Sequence, residues 1–238
     1  MRTHSIHSLI MLVVTLTAIG PVTAAPQPAG PQPAGVPQSW ELRFAYLSPQ
    51  RISVTLPGEA VGRTYWYVLY SVTNENRDTP EVQFLPTFTL MTDTMQVYPA
   101  EIGVHPSVYD AIKHRHRKTH PFLTEPVRTI GRLLLGEDNT RDSVAIWPDF
   151  DRQASSFTIY VGGLSGETQR IRNHRHDPTQ PEVATETTED GVTLEKLVNP
   201  KYFTLRKTLV LDYELPGNAD TRGRAQAKLS RPHHWTMR

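Results

Sequence analysis

Histidine is the residue type whose spacing in this chain first suggests chemistry. Neutral imidazole is a common metal ligand, and two ligands on one helix face must lie three or four residues apart. His116 and His120 have that spacing, but Pro121 follows directly and disfavours helical geometry at His120. Interleaved arginines would repel a bound cation. We therefore expect solvated basic loops and no metal site at His105, His114, His116, His120, His174, His176, His233 and His234.

The segment from Lys113 to Lys118 could instead bind an anion. It carries four permanent positive charges, and its two histidines would add charge below about pH 6.5. An acidic polysaccharide or a lipid headgroup would suit such a segment. A solvated face, paired with an acidic stretch further along the chain, explains the same residues. The candidate binding residues of this segment are His114, Arg115, His116 and Arg117.

An aromatic group near the middle of the chain offers a second candidate surface. Tyr65 and Tyr67 belong to the run Arg63–Thr73, in which both alternating faces are largely apolar. Packing in the core explains these aromatic residues. If Tyr65 and Tyr67 were exposed, they could form a platform for a carbohydrate or another ligand. We therefore include both tyrosines among the candidate binding residues.

Acidic residues on adjacent turns are the remaining candidates for catalysis, namely Glu137, Asp138, Asp149 and Asp151. A glycosidase needs two carboxyls about 5–10 Å apart, and calcium needs a ring of oxygen ligands. The spacing of these acids matches no defined motif. A phosphate-binding loop, a dinucleotide fingerprint, an H-E-x-x-H motif and a G-x-S-x-G elbow are all missing from the sequence. We therefore predict no catalytic residue, no metal and no cofactor.

The composition excludes further classes of protein. The 238 residues include no cysteine, which rules out disulfides, thiolate metal centres and a cysteine nucleophile. The 25 lysines and arginines nearly balance the 24 aspartates and glutamates. Binding to nucleic acid is therefore not expected, because neutralising phosphates needs a concentrated basic surface.

The N-terminus has the pattern of an export signal over residues 1–24. Arg2 precedes an apolar run from Leu9 to Ile19, and Val22-Thr23-Ala24 provides the small residues at which a signal peptidase cuts. The apolar run, of about 11 residues, is too short to span roughly 30 Å of hydrocarbon. We expect an exported protein, periplasmic or extracellular, with no membrane span in the mature chain.

Three further segments follow this leader. Residues 25–38 contain PQPAG twice in tandem and suit a semi-rigid spacer. Residues 39–217 suit a β-sandwich domain, and within it the polar and acidic residues 168–197 suit a mobile insertion. Residues 218–238 carry five basic side chains on a polar background, so we expect a basic disordered tail.

The alternation of apolar and polar residues predicts eight or nine short strands and one helix, from Pro106 to about Arg117. This pattern favours an all-β fold, an antiparallel β-sandwich of immunoglobulin-like type with one short helix. In Arg63–Thr73 the two apolar faces predict a central strand that is covered on each side. A second predicted strand, from Val82 to Met91, contains Pro86, which indicates an edge position or a bulge.

Three stretches of the sequence resemble a known group of proteins. They are YWYVLY with VTN within residues 65–74, GRLLLGED with VAIWP within 131–148, and GLSGE with LRKTL within 163–209. Together they resemble uncharacterised exported proteins of planctomycete-type bacteria with an immunoglobulin-like β-sandwich. The resemblance covers most of residues 40–215. It implies the export and the fold, and it implies no catalytic residue.

The sequence thus favours a non-catalytic binding or structural module of the cell envelope. Its partner would be an envelope polymer or another envelope protein. The alternative is an envelope hydrolase or a metal-dependent enzyme that uses the acids of residues 137–151 or the histidine clusters. A pocket in which carboxyls converge beside exposed aromatic residues would favour the alternative.

Overall fold

A computed structural model describes residues 31–35, 39–188 and 190–238. It is mostly β, and its named strands pair in antiparallel fashion. In chain order the elements are β1 (Arg43–Tyr46), β2 (Gln50–Val54), β3 (Arg63–Thr73), β4 (Glu81–Phe84), β5 (Thr87–Thr92), β6 (Val97–Pro99), α1 (Pro106–Arg115), α2 (Pro126–Thr129), β7 (Gly131–Leu134), β8 (Arg141–Pro148), β9 (Ser156–Gly162), β10 (Thr168–Arg172), β11 (Val183–Thr187), β12 (Thr193–Leu197), β13 (Tyr202–Glu214), α3 (Ala219–Arg222), β14 (Lys228–Leu229) and β15 (His234–Met237).

Strand β3 is the centre of a four-stranded antiparallel sheet. β1 pairs with its C-terminal half and β2 with its N-terminal half, while β8 pairs along the opposite edge. Successive side chains of a strand point to opposite faces, yet every residue from Tyr65 to Tyr70 is buried. The prediction of a central strand with two covered faces is therefore confirmed.

One face of β3 packs against a second, seven-stranded sheet. Its strand order is β10-β13-β9-β5-β6, and β14 and β15 also pair with β13. Trp66 and Val68 of the four-stranded sheet share one core with Phe157, Ile159 and Leu211 of the larger sheet. Two antiparallel sheets that enclose a common apolar core fit a β-sandwich.

Helix α1 covers the other face of β3. Pro106 lies in its first turn, where a missing N–H costs no hydrogen bond, and His105 Nδ1 caps the helix by accepting from the Ser107 N–H at 3.2 Å. The helix begins where the sequence predicts and ends at Arg115, two residues early. Its buried side chains pack on β3 and β8 in a second core formed by Val108, Tyr109, Ile112, Tyr65, Tyr67, Leu69, Leu123, Val144 and Ile146.

The strand predicted from Val82 to Met91 divides at Pro86. β4 pairs with β7 in a two-stranded sheet, whereas β5 pairs with β6 and β9 in the seven-stranded sheet. Proline has no N–H to donate to a ladder, so the chain changes sheets there. The segment that passes from one sheet to the other lies against Gly163, where an added Cβ would lie 2.4 Å from the Leu85 carbonyl oxygen.

The described ranges contain three α-helices, so the prediction of one helix is wrong. α2 is a single turn from Pro126 to Thr129, and β7 begins two residues later at Gly131. α3 is held by a capping box in which Asn218 and Thr221 exchange backbone and side-chain hydrogen bonds of 2.9 and 3.1 Å. Helices of one turn have no apolar periodicity, which is why pattern reading missed them.

The C-terminal tail, predicted to be disordered, forms α3, β14 and β15. β15 pairs with β13 in a register that runs from Lys207↔Met237 to Val210↔His234. Met237 is buried, and Trp235 packs against the core between the sheets. The prediction is wrong because a polar tail with a free sheet edge to join gains a ladder of backbone hydrogen bonds that local composition does not reveal.

Residues 168–197, predicted as a polar insertion, contain three strands. β10 extends the larger sheet along β13. β11 and β12 pair with each other in a separate hairpin whose side chains are mostly exposed. The polar insertion therefore has regular secondary structure, and its mobility stays a prediction.

The predicted signal peptide, residues 1–24, lies outside the described residues, and so do residues 25–30 and 36–38 of the predicted spacer. In the described part of the spacer, the Ala34 N–H donates to Glu167 Oε1 at 2.8 Å. One point of the spacer therefore contacts the domain. Within the described ranges, none of the helices has the length and apolar character needed to cross a membrane.

Candidate functional site

A cleft of about 460 Å³ lies where β2, the end of α1 and the loop after α3 meet. Three arginines line it, Arg51 from β2, Arg115 from α1 and Arg224 from the loop, together with the amides of Gln50 and Gln226. The remaining walls are Leu47, Ser48, Pro49, Trp66 and Ala225. We call this feature the basic cleft, because its lining contains three cations and no acid.

Arg51 builds one wall of the basic cleft. Its guanidinium lies 4.4 Å from the centroid of the Trp66 ring and donates to the carbonyl oxygens of Arg222 (3.2 Å), Gly223 and Ala225. Burial lowers the pKa of Arg51, and the charge of Asp149 partly offsets that effect. Arg51 keeps its charge because arginine is not deprotonated in proteins, and its hydrogen bonds tie the C-terminal loop to β2.

Arg115 and Arg224 supply the available positive charge. Arg115 is the last residue of α1, and its Nη1 donates to the Arg51 carbonyl oxygen at 2.8 Å. Both arginines are exposed, and neither forms an ion pair with any acid in the described ranges. A neighbouring cavity of about 440 Å³ shares Arg224 but also carries Asp149 and Asp220. Among the described residues, Arg115 and Arg224 therefore bring two charges without an ion-pair partner to the basic cleft.

Beside the cleft, Tyr67 connects the strand to the helix terminus. The Tyr67 hydroxyl donates to Gln50 Oε1 at 2.9 Å and lies 2.9 Å from His116 Nε2. Burial lowers the pKa of His116, and the charges of His120 and Arg115 lower it further. His116 is therefore neutral at pH 7, and it positions the end of α1 rather than adding charge there.

The other residues singled out in the sequence are distributed differently. His114 and Arg117 are exposed and contact each other, with Arg117 Nη1 2.6 Å from His114 Nε2, and neither lines the basic cleft. Tyr65 and Tyr67 are 2% and 0% exposed. An exposed tyrosine platform is therefore wrong, because α1 covers the face of β3 on which both rings lie.

The histidines and the acidic turns do not form a metal centre in the described ranges, where no group of three or more potential ligand side chains converges. His116 and His120 do meet, with ring centroids 5.8 Å apart. The acids of residues 137–151 have separate partners: Glu137 pairs with Arg43, while Asp149 accepts from Trp66 Nε1 at 3.0 Å. Asp151 accepts from the Thr94 hydroxyl at 2.7 Å.

Sequence reasoning identified Arg115 and its neighbour His116 but missed Arg51 and Arg224. Arg51 lies in an ordinary alternating strand, and Arg224 lies in the tail for which disorder was expected. Their convergence depends on a contact between β2 and a loop more than 170 residues later, through the bond from Arg51 to Ala225. The excess of basic residues in the tail was the one feature of the sequence that could have indicated that Arg224 belongs to a basic site.

Comparison of the chain with protein-family models, with curated proteins and with solved structures found no match.

Proposed function

We propose that this chain is a non-catalytic binding module of the cell envelope, whose basic cleft takes the carboxylate, sulfate or phosphate groups of an anionic envelope polymer. The observation that carries the proposal is the convergence of Arg51, Arg115 and Arg224 in one cleft whose lining contains no acid. Arginine suits this task because its planar guanidinium can donate two parallel hydrogen bonds to a carboxylate or a phosphate. Gln50 and Gln226 add neutral groups for the hydroxyls of a sugar.

The proposed location and fold type belong to the same hypothesis. Arg2, the apolar run that ends at Ile19 and the small residues before Ala25 support export. Two antiparallel sheets around one core support the β-sandwich part of the hypothesis, and the immunoglobulin-like type and the planctomycete-type group are proposed from the sequence resemblance alone. Mass spectrometry of the protein recovered from its native cells tests the export, since cleavage after Ala24 is expected. A product that retains residues 1–24 inside the cell would contradict it.

The binding proposal is tested with polygalacturonate as an acidic polymer and dextran as a neutral one. In affinity electrophoresis, polygalacturonate should retard the protein and dextran should not. The retardation should weaken as the salt concentration is raised, because the contact is between charges. The double variant Arg115→Gln/Arg224→Gln should weaken binding about tenfold or more, since hydrogen bonds between charged groups contribute about 1.5–3 kcal/mol each.

The matched control is Arg77→Gln/Arg175→Gln, which removes the same charge from two exposed arginines outside the cleft. It should bind as the unmodified chain does. Equal weakening by the two double variants would show that net charge, and not the basic cleft, determines binding. A third variant, His114→Gln/Arg117→Gln, separates the cleft from the exposed basic segment beside it and should also bind normally.

A further inference from the structure

A second cavity, of about 460 Å³, shares no residue with the basic cleft. It lies between β5, the turn after β6 and helix α2, and its walls include Tyr70, Phe88, Val127, Ile130 and Val144. Val127 and Ile130 are 71% and 48% exposed. Apolar side chains left exposed around a concave surface are typical of a ligand site.

Glu101 lines this cavity and also an adjoining one of about 270 Å³. We call the two cavities together the Glu101 groove. The Glu101 N–H donates to the Ile146 carbonyl oxygen at 2.8 Å, and the Ile146 N–H donates to Glu101 Oε1 at 3.0 Å. The second bond holds the carboxyl in place, and Glu101 lines both cavities, so a ligand in the groove can reach it.

The backbone at Glu101 is also unusual. Its φ of +68° lies in the left-handed region, which costs an ordinary residue roughly 1–2 kcal/mol. Glu101 closes the free edge of β8, and this accounts for its bonds to Ile146. A glutamine would make the same two bonds without a charge. The negative charge of Glu101 is therefore not needed for the contact with Ile146, in which the carboxyl only accepts a hydrogen bond.

The charges that line the groove have one sign. Glu101 is the one charged residue in the lining of the larger cavity. The smaller cavity adds Glu125 and His105, and Glu125 pairs with Arg128 at 3.1 Å. The buried Tyr70 hydroxyl keeps its proton, because burial raises the pKa of Tyr70 to about 12. Burial raises the pKa of Glu101 to about 7, so its carboxyl is mostly ionised at pH 8. At that pH, an apolar cavity with a fixed carboxylate and no lysine or arginine in its lining is complementary to a cation with an apolar body.

We propose that the Glu101 groove binds a small apolar molecule that carries a protonated amine. The amine lies at the Glu101 carboxylate, and the apolar body lies against Val127 and Ile130. A cavity of this size holds a small organic molecule. The inference does not depend on the anionic partner of the basic cleft, because the two sites share no residue.

Three probes of similar shape test the proposal on the full chain by isothermal titration and by ligand-observed NMR. They are 2-phenylethylamine, which is cationic at pH 8, the neutral 2-phenylethanol and the anionic 3-phenylpropionate. The amine should bind about tenfold more tightly than the alcohol, and the acid should bind least. Equal affinities for the three probes, or tighter binding of the acid, would overturn the proposal.

Two variants locate the site. Glu101→Gln keeps an acceptor for the Ile146 N–H and should abolish the preference for the amine over the alcohol. Val127→Asn, at an exposed position where the fold is not at risk, should weaken all three probes. The control Val61→Asn changes another exposed valine, 76% exposed and outside the groove, and should change nothing. Unchanged amine binding in both Glu101→Gln and Val127→Asn would exclude the groove, while leaving the proposal for the basic cleft intact.

Discussion

Lys207 and Glu41 form an ion pair, with Lys207 Nζ 2.8 Å from Glu41 Oε2 and the lysine side chain only 4% exposed. Glu167 Oε2 lies 3.3 Å from the same Nζ, and the Trp235 ring lies 5.0 Å from it. Because Glu167 Oε1 also accepts from the Ala34 N–H, one buried cation links the spacer, the entry to β1, β13 and the C-terminal strand.

Replacing Lys207 by methionine should therefore destabilise the protein by about 3 kcal/mol, because it leaves two partly buried carboxylates without a partner. Chemical denaturation at pH 7 measures the loss. The triple variant Lys207→Met/Glu41→Gln/Glu167→Gln should recover most of the stability, since it also removes the unpaired charges. A triple variant no more stable than the single variant would show that the network is not electrostatic.

The same ion pair has a predictable pH dependence. Burial lowers the pKa of Lys207, but the hydrogen bonds that its ammonium donates to Glu41 and Glu167, and the charges of these two carboxylates, outweigh burial and raise the pKa above 10.5. The stabilisation is therefore complete below pH 10.5 and is lost as the pH rises above it. The stability of the unmodified chain relative to that of the triple variant should stay constant from pH 7 to about 10 and then fall.

Tyr67→Phe should cost about 1 kcal/mol, or roughly 2–4 °C in melting temperature, because it leaves Gln50 and His116 each without a partner at the base of α1. Tyr98→Phe is the matched control. The Tyr98 hydroxyl donates to the exposed Gln96 side chain, which water can satisfy instead. If the two variants melted at the same temperature, the hydrogen bonds of Tyr67 would contribute nothing to stability.

Glu101 should make stability fall as the pH rises from about 4.5 to about 7. Burial raises the pKa of Glu101 from 4.5 to about 7, although its bond from the Ile146 N–H acts in the opposite direction. The folded state then holds its proton more tightly than the unfolded state, so ionisation over that interval favours unfolding. The residue keeps contact with solvent, which limits the size of the effect, so the prediction concerns its direction.

Urea denaturation at pH 5 and pH 8 measures this effect by comparing the unmodified chain with Glu101→Gln. As the pH is raised from 5 to 8, Glu101→Gln should become more stable relative to the unmodified chain. A constant difference between the two proteins would show that Glu101 has an ordinary pKa.

Gly163→Ala should destabilise the protein more than Gly58→Ala. Both glycines have left-handed φ values, +82° and +83°, so each substitution incurs the same backbone cost of roughly 1–2 kcal/mol. At Gly58 the added Cβ meets nothing within 4 Å, whereas at Gly163 it meets the Leu85 carbonyl oxygen at 2.4 Å. We expect Gly163→Ala to cost about 1–3 kcal/mol more, measured by denaturant unfolding.

Trp235→Ala tests whether the C-terminal strand belongs to the folded domain. Because Trp235 packs against the core and over Lys207, its loss should cost about 2–3 kcal/mol, somewhat less than for a fully buried tryptophan. Phe122→Ala, at a residue 82% exposed, should be nearly neutral. A neutral Trp235→Ala would instead agree with a disordered tail.

The sequence by itself determined the elements whose residues repeat with a local period. Arg63–Thr73 is a central strand with two apolar faces because both sets of alternating side chains are apolar. α1 begins at Pro106 because proline suits the first turn and its apolar residues recur at helical spacing. The one-turn helices α2 and α3 were missed because a single turn is too short to show a helical period.

Only the tertiary structure decided which charged residues meet. Arg51 and Arg224 come together because β15 and β14 pair with β13 and bring the C-terminal loop against β2. Tyr65 and Tyr67 are buried and form no exposed surface, because α1 packs on their face of β3. Strand pairing and layer packing join residues far apart in the chain, and their free energy depends on buried area and on backbone hydrogen bonds between segments. A local sequence pattern does not show which distant segments will pair or how much area they will bury.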